Sequence, residues 1–209
     1  MRRFVPAIAV LIFTLNAHAN AATITFLTDP FEGSTALTTP GRQVVGNELF
    51  TAFNIATDVF VLEQNVFDIN QIDFVNDVAA DIPATGVNVV VLQTLDDDGN
   101  PGTAFGAGMA ANLIAAQITQ TGPGLFIYFN SGLNLPRRLV YSTDLSDNTA
   151  DLKILARLTN LNAQPAALPS FTEANFALTQ VPEPATLLLM TTGGALMASR
   201  RLRRKRSRE

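Results

Sequence analysis

The sequence predicts a mainly β, sandwich-like domain with one helix, and three observations support this class. Short segments rich in β-branched and aromatic residues recur between residues 22 and 180, separated by Gly, Pro, Asn and Asp. One segment, Ala107 to Ile118, is rich in helix formers and is followed by Gly122 and Pro123. The chain has no cysteine, so a single packed core must hold the fold, which about 160 residues can supply. An α+β sheet with the helix on one face is the alternative.

The first half of this domain contains most of the predicted strands. Ala22 to Leu27 alternates polar and apolar residues with a period of two, whereas Gly33 to Gly41 has the composition of a loop. Val87 to Gln93 is the most β-branched segment, and its nearly continuous apolar character predicts a central strand. The other strand candidates are Gln43 to Val45, Leu49 to Phe53, Val59 to Leu62 and Ile72 to Val75.

The second half contains the predicted helix, Ala107 to Ile118, and four more strands. Leu125 to Phe129 is apolar enough to be a buried strand, so Tyr128 is expected in the core. Lys153 and Arg157 are expected on an outer face. The remaining strand candidates are Arg138 to Ser142, Leu152 to Leu158 and Phe171 to Leu178, the last of them after a loop from Pro165 to Pro169.

The first 21 residues have the three parts of a signal peptide. Arg2 and Arg3 form a basic start, Phe4 to Leu15 is apolar, and small residues surround two cleavage positions, after Ala19 and after Ala21. An uncleaved N-terminal anchor is the weaker alternative, because this apolar stretch is too short to span a bilayer. The pattern predicts export and cleavage by a signal peptidase.

The C-terminal segment, residues 181–209, combines an uncharged stretch with a basic end. Ala185 to Ser199 carries no charge, and 15 residues in a helix would extend about 22 Å, short of a hydrocarbon core of roughly 30 Å. A cluster of cations at residues 200–209 follows it and is expected to stay in the cytoplasm. These cations are Arg200, Arg201, Arg203, Arg204, Lys205, Arg206 and Arg208.

Pro182, Glu183 and Pro184 stand directly before the uncharged stretch, in the phrase VPEPATLLL. This ordered arrangement of motif, apolar stretch and basic cluster resembles the PEP-CTERM sorting signal of Gram-negative bacteria. The resemblance implies recognition by an exosortase, a transient stay in the inner membrane, cleavage near the motif, and transfer to the cell surface or to the extracellular polysaccharide matrix of a biofilm. A permanent single-pass transmembrane anchor is the alternative.

Removal of both ends changes the charge of the chain. Residues 22–184 contain 5 Lys and Arg against 17 Asp and Glu, which gives a formal charge of −12, whereas the whole chain carries −4. Such a surface disfavours nucleic acid as a partner. His18 is the only histidine and lies in the signal peptide, so the exported part cannot form a Ser-His-Asp or Cys-His site or a zinc site of His or Cys ligands. These absences favour a noncatalytic protein without a cofactor.

Asp96, Asp98 and Asn100 stand at alternate positions after the predicted central strand. Their oxygens are the ligands that Ca²⁺ prefers, so the loop is a candidate calcium site. It is not an EF-hand, since Pro101 stands at the sixth position, where that loop requires glycine, and Ala107 at the twelfth, where it requires glutamate. A polar turn without a metal is the more conservative interpretation.

The segment PGLFIYFNSGLNLPRRLVYSTDLSDNTADLKILARLTNL also resembles uncharacterised exported domains that accompany PEP-CTERM tails. That resemblance implies no catalytic residues. We therefore expect a noncatalytic surface or matrix protein, with a carbohydrate-binding module as the alternative. A glycoside hydrolase would have to take its two carboxyl groups from one of two clusters. These are Asp144, Asp147 and Asp151, and Asp96 to Asp98.

Overall fold

A computed structural model describes residues 21–100, 102–130, 137–161 and 165–180. Within these residues the chain forms two β-sheets and one helix of more than two turns. The strands are β1 (Thr23–Phe26), β2 (Val44–Val45), β3 (Leu49–Thr51), β4 (Val59–Glu63), β5 (Phe74–Asp77), β6 (Val89–Leu92), β7 (Gly124–Tyr128), β8 (Arg137–Ser142), β9 (Leu152–Leu158) and β10 (Phe176–Thr179). The α-helices are α1 (Gln64–Phe67) and α2 (Ala107–Ala115), and 3₁₀ turns lie at Ala79–Asp81, Thr159–Leu161, Pro165–Ser170 and Glu173–Asn175.

The smaller sheet has three strands in the order β1, β4, β10, and all of them run parallel. Ile24 pairs with Phe60 on one side of β4, and Phe176 pairs with Phe60 on the other. Aromatic rings cluster at this point, where Phe60 stacks on Phe53 with ring centroids 4.2 Å apart. The first and last strands of the domain are thereby joined through β4.

The larger sheet is mixed. Its strand order is β2, β9, β8, β7, β6, β5, and β3 also pairs with β9. The β5, β6 and β7 strands are parallel neighbours, whereas β8 is antiparallel to both β7 and β9. The parallel step from β6 to β7 requires a crossover, and α2 supplies it.

Both faces of the larger sheet are buried. Along β6, Val89 and Val91 belong to the core shared with the smaller sheet, whereas Val90 and Leu92 belong to the core shared with α2. All four side chains are fully buried. This explains the nearly continuous apolar character of Val87 to Gln93, which is typical of a strand covered on both sides.

The side chain of Arg42 donates three hydrogen bonds that join α2 to two neighbouring segments of the chain. Arg42 donates to the carbonyl oxygen of Gly108 at 2.7 Å, to Asn112 Oδ1 at 2.8 Å and to the carbonyl oxygen of Ala150 at 3.1 Å. The loop before β2, the helix α2 and the turn before β9 therefore meet at this side chain.

The predicted class, mainly β and sandwich-like with one helix, is confirmed. The strand at Leu152–Leu158 has the predicted bounds, and the helix begins at Ala107 as predicted. Lys153 and Arg157 are half-buried, the two positions of β9 that are not fully covered. Tyr128 is fully buried, as expected of a core residue.

Several predicted elements differ from the structure at their boundaries, among them the helix, which ends at Ala115 and not at Ile118. The strand predicted at Ile72 to Val75 lies two residues later, at Phe74–Asp77. The strand predicted from Phe171 begins only at Phe176, because Thr172 and Asn175 form a reciprocal capping box around a 3₁₀ turn at Glu173–Asn175. The Pro165 to Pro169 loop also forms a 3₁₀ turn, Pro165–Ser170.

A buried carboxylate, Asp58, contacts the N-terminal end of the described domain. Asp58 is 5% exposed and its Oδ1 accepts a hydrogen bond from the backbone N–H of Ala22 at 2.8 Å. The carbonyl oxygen of Ala22 accepts from the N–H of Val59 at 3.0 Å. Among the described residues, Ala22 is thus the first whose N–H and carbonyl oxygen both have hydrogen-bond partners.

Among the described residues, no helix has the length and apolar character needed to cross a membrane. The predicted span at residues 185–199 lies outside the described residues.

Candidate functional site

The candidate calcium residues lie in the loop between β6 and α2, at the carboxyl end of a parallel strand. This is the edge of a parallel sheet at which ligands commonly bind. Asp96 Oδ1 accepts from the N–H of Asp98 at 3.2 Å, and Asp98 Oδ1 accepts from the N–H of Asn100 at 2.8 Å. Asn100 Oδ1 in turn accepts from the N–H of Gly102 at 3.1 Å. The alternate spacing therefore builds three successive turns, each capped by its own side chain.

The same loop concentrates negative charge. One carboxylate oxygen from each of Asp96, Asp97 and Asp98 lies within 4.8 Å of the others, and Asp97 and Asp98 are exposed. The hydrogen bond from the N–H of Asn100 leads the contacts that hold the pKa of Asp98 below its usual value. The structure thus brings Asp96 and Asp98 together and adds Asp97, which the sequence argument did not include.

The second group of carboxylates, before β9, is committed to the fold. Asp151 is 9% exposed, and its two oxygens accept from the N–H of Leu37 at 2.7 Å and of Gln43 at 2.6 Å. Asp144 Oδ1 accepts from the N–H groups of Gly122 at 3.2 Å and Ser146 at 2.8 Å. These contacts give both carboxylates structural roles.

Asp147, in the same turn, is exposed and caps its own chain. Its Oδ1 accepts from both the N–H and the hydroxyl of Thr149, each at 2.7 Å. These bonds, led by the backbone one, keep the pKa of Asp147 below its usual value, so the carboxylate stays ionised at neutral pH.

Neither tyrosine offers a stacking surface for a sugar. Tyr128 is fully buried, and Tyr141 is 6% exposed with its hydroxyl donating to the carbonyl oxygen of Phe67 at 3.2 Å. Burial is the main reason that the pKa of Tyr141 is raised to about 12. Phe50 is 63% exposed, but the guanidinium carbon of Arg157 lies 5.1 Å from its ring centroid.

A cleft opens between the end of β1 and the start of β9. Its volume is about 540 Å³, within the range of small-molecule sites, and both charged and apolar side chains line it. They include Asp29, Glu32, Leu49, Phe67 and Lys153. Lys153 Nζ donates to the carbonyl oxygen of Gly46, so this amine already has a partner inside the molecule.

Arg137 and Asp58 are buried charged residues that the sequence did not reveal. Arg137 is fully buried at the start of β8 and donates to the carbonyl oxygen of Leu161 at 2.5 Å, and burial lowers the pKa of Arg137 to about 10. Asp58 stands just before β4. Nothing in the periodicity distinguishes either residue from a surface charge at a strand end, because their burial depends on contacts distant in sequence.

Most of the residues predicted to take part in processing lie outside the described part of the chain. Ala21 is described and exposed, whereas Ala19 lies outside the described residues. The same holds for Pro182, Glu183, Pro184 and the basic cluster at residues 200–209. The last described strand, β10, ends at Thr179, directly before this segment.

The sequence of the C-terminal segment, residues 181–209, shows what kind of signal it carries. The family model of the PEP-CTERM protein-sorting motif matches residues 180–205. The chain carries a PEP-CTERM sorting signal. The match includes the Pro-Glu-Pro motif, the uncharged stretch and most of the basic cluster, and it indicates an exported protein that an exosortase processes at the membrane.

The match covers the tail and does not extend into the domain. Comparison with curated proteins and with solved structures finds no match. The resemblance of the domain to other exported domains therefore stays a prediction.

Proposed function

We propose that this chain is an exported, noncatalytic protein of the cell surface or of the extracellular, exopolysaccharide-rich matrix. The observation that carries the proposal is the PEP-CTERM motif at residues 180–205. The acidic body, with a formal charge of −12 over residues 22–184, supports a soluble, well-hydrated role outside the cell.

The proposed route has three steps. A signal peptidase removes the N-terminal segment during export through the inner membrane of a Gram-negative bacterium. The C-terminal stretch then holds the protein in that membrane, with the basic cluster on the cytoplasmic side. An exosortase finally cleaves near Pro184 and releases the domain to the surface or the matrix.

The noncatalytic part of the proposal depends on how the carboxylates are used. A glycoside hydrolase needs two carboxyl groups free to act on the bond between them. Asp144 and Asp151 instead accept backbone hydrogen bonds that fix neighbouring loops. Both oxygens of Asp151 and Oδ1 of Asp144 hold backbone groups in place, which argues against an acid and base role for this pair.

Glycan binding is the second proposal, and the cleft of about 540 Å³ beside β1 is the feature that favours it. It ranks below the first because sugars are usually held on exposed aromatic faces. The chain has no tryptophan, both tyrosines are buried, and Phe50 already faces Arg157. Calcium binding at Asp96, Asp98 and Asn100 is a further proposal and is compatible with either role.

The processing route is tested in the native host. We expect the mature protein to end near Pro184, and deletion of the exosortase to leave a longer, membrane-bound form. Intact mass and membrane fractionation measure both. Exported protein that still carries Arg200 to Glu209 would contradict the proposal.

A charge-neutralised tail tests the basic cluster separately. Replacing its seven Lys and Arg residues by Gln removes the cytoplasmic charge that stops the chain in the membrane. We expect unprocessed protein in the periplasm. Processing unchanged from wild type would contradict this role, and replacing the six arginines of the cluster by Lys instead provides a control that keeps the charge and in which processing continues. Recovery of the mature protein with isolated matrix polysaccharide tests the final location.

A further inference from the structure

The two signal-peptide cleavage positions that the sequence leaves open would leave different groups beside Asp58. Both positions have small residues around the cleaved bond, so the sequence alone does not choose between Ala19 and Ala21. Cleavage after Ala21 would make the nitrogen of Ala22 the new α-amino group. That nitrogen is the atom that donates to Asp58 Oδ1 at 2.8 Å.

Asp58 is a buried carboxylate whose described partners are all uncharged. Besides Ala22, it accepts from the N–H of Asn54 at 2.8 Å and from Thr57 Oγ1 at 3.0 Å. Among the described residues, the one Lys or Arg ion pair joins Arg157 to Glu48. Asp58 thus has no cationic side chain beside it in that part of the chain.

The carboxylate of Asp58 is nevertheless ionised. Burial acts to raise the pKa of Asp58, but the hydrogen bonds from Ala22, Asn54 and Thr57 outweigh it and hold the pKa below its usual value. A cationic partner would form a favourable ion pair with Asp58, because folding has already removed this carboxylate from water.

We propose that signal peptidase cleaves the bond between Ala21 and Ala22, and that the resulting α-ammonium group forms an ion pair with Asp58. Water breaks the peptide bond: the carbonyl carbon of Ala21 takes its hydroxyl and the nitrogen of Ala22 takes its proton. The released amine binds a second proton at neutral pH, since α-amino groups have a pKa of about 8. A neutral donor to Asp58 thereby becomes a charged one.

The surroundings of Ala22 favour this pairing. Ala21 and Ala22 are exposed, so the ammonium group keeps part of its hydration while one of its protons faces Asp58. The hydrogen bond between the Ala22 carbonyl oxygen and Val59 fixes the residue at the start of β1. Ion pairs with one partner already desolvated and the other still hydrated avoid most of the cost of burying two charges.

The alternative cleavage would not produce this contact. A chain beginning at Asn20 would carry its ammonium group on that residue, two positions before Ala22. The nitrogen of Ala22 would remain a neutral amide. The two products therefore differ in charge at one defined atom.

The first test is the mass of the mature protein purified from the native host. We expect its first residue to be Ala22. A chain that begins at Asn20 would overturn the proposed cleavage.

The second test measures the ion pair through a double-mutant cycle. Ala21→Leu removes the small residue required before the bond, and so directs cleavage to the position after Ala19. Because residue 21 is exposed, the leucine side chain itself should change little. We expect the melting temperature of this longer chain to fall by about 3 °C, the size of effect expected when a charged hydrogen-bond donor is replaced by a neutral one in a domain of this length. With Asp58→Asn in both chains, the difference should shrink to about 1 °C. An equal difference in the two backgrounds would overturn the ion pair.

Acetylation of the α-amino group gives a measurement that needs no change at Asp58. Acetylating the folded wild-type protein removes the charge, and we expect a fall in melting temperature similar to that of Ala21→Leu. Lys153 is the only lysine between residues 22 and 184, and the acetylated Ala21→Leu chain controls for its modification. Equal shifts in the two acetylated chains would overturn the proposal.

Discussion

Two acidic turns of this domain have similar composition and different roles. The loop after β6 contains Asp96, Asp97 and Asp98, and the turn before β9 contains Asp144, Asp147 and Asp151. In the first, the hydrogen bonds of Asp96 and Asp98 stay within two residues along the chain. In the second, Asp151 contacts residues 114 and 108 positions away.

The difference shows that the range of a carboxylate's hydrogen bonds, and not the local density of acids, indicates what the carboxylate does. Asp151 joins distant segments with both of its oxygens and so contributes to the fold. Asp96 and Asp98 each cap the turn that follows them with one oxygen. We therefore expect mutation of Asp151 to affect stability and mutation of Asp96 or Asp98 to affect cation binding.

The largest effect is expected for Asp151→Ala. The change leaves the N–H groups of Leu37 and Gln43 without their acceptor, and we expect a loss of about 3 kcal/mol of unfolding free energy. Chemical denaturation of the mature protein measures this loss. Asp97→Ala is the matched control, since Asp97 is exposed, and should change stability by at most about 0.5 kcal/mol. Equal losses for the two variants would remove the distinction between the turns.

The next effect is the response to calcium. If Asp96, Asp98 and Asn100 hold one Ca²⁺, a hundredfold excess over the dissociation constant adds about 2.7 kcal/mol. For a domain of this size we expect the melting temperature to rise by about 5 to 10 °C. Asp98→Ala should abolish the rise, whereas Asp147→Ala should leave it intact. A wild-type melting temperature that is the same in millimolar calcium and in chelator would assign the loop a purely structural role.

The smallest effect is in the acid titration of the two turns. The hydrogen bonds led by the N–H of Asn100 and of Thr149 lower the pKa of Asp98 and of Asp147 below the ordinary 3.8. A lowered pKa in the folded state means that the stabilisation is present above the unfolded pKa and is lost as the pH falls through the folded value. Carboxyl ¹³C chemical shifts followed from pH 6 to pH 2 should therefore show both midpoints below 3.8. A midpoint at or above that value for either residue would contradict the local capping.

Local patterns in the sequence were enough to predict much of the fold. The alternation in Leu152 to Leu158 and the β-branched run around Val90 predict strands, because each segment contains its own signal. The boundary at Phe176 was missed, because a capping box between Thr172 and Asn175 competes with the apolar pattern of that segment. Short polar side chains favour such turns over strands.

The pairing of the strands could not be predicted in the same way. The smaller sheet joins residues 23–26, 59–63 and 176–179 in parallel. The sequence of each strand does not indicate which distant segment pairs with it. The burial of Asp58 could not be predicted for the same reason, because its contact with Ala22 spans 36 positions. The sorting signal was predictable because its three parts are adjacent in the chain.

The parallel pairing of β10 with β4 has a mechanical consequence for a protein held by its C-terminal end. Any pull transmitted through the tail enters the domain at Thr179, at the far end of β10. Because β10 lies alongside β4 from Phe176 to Thr179, a force along the strand loads all of the intervening hydrogen bonds at once, in shear, instead of opening them one after another. If the proposed C-terminal tether holds the domain, β10, the last described strand, would therefore meet a pull along its axis in shear.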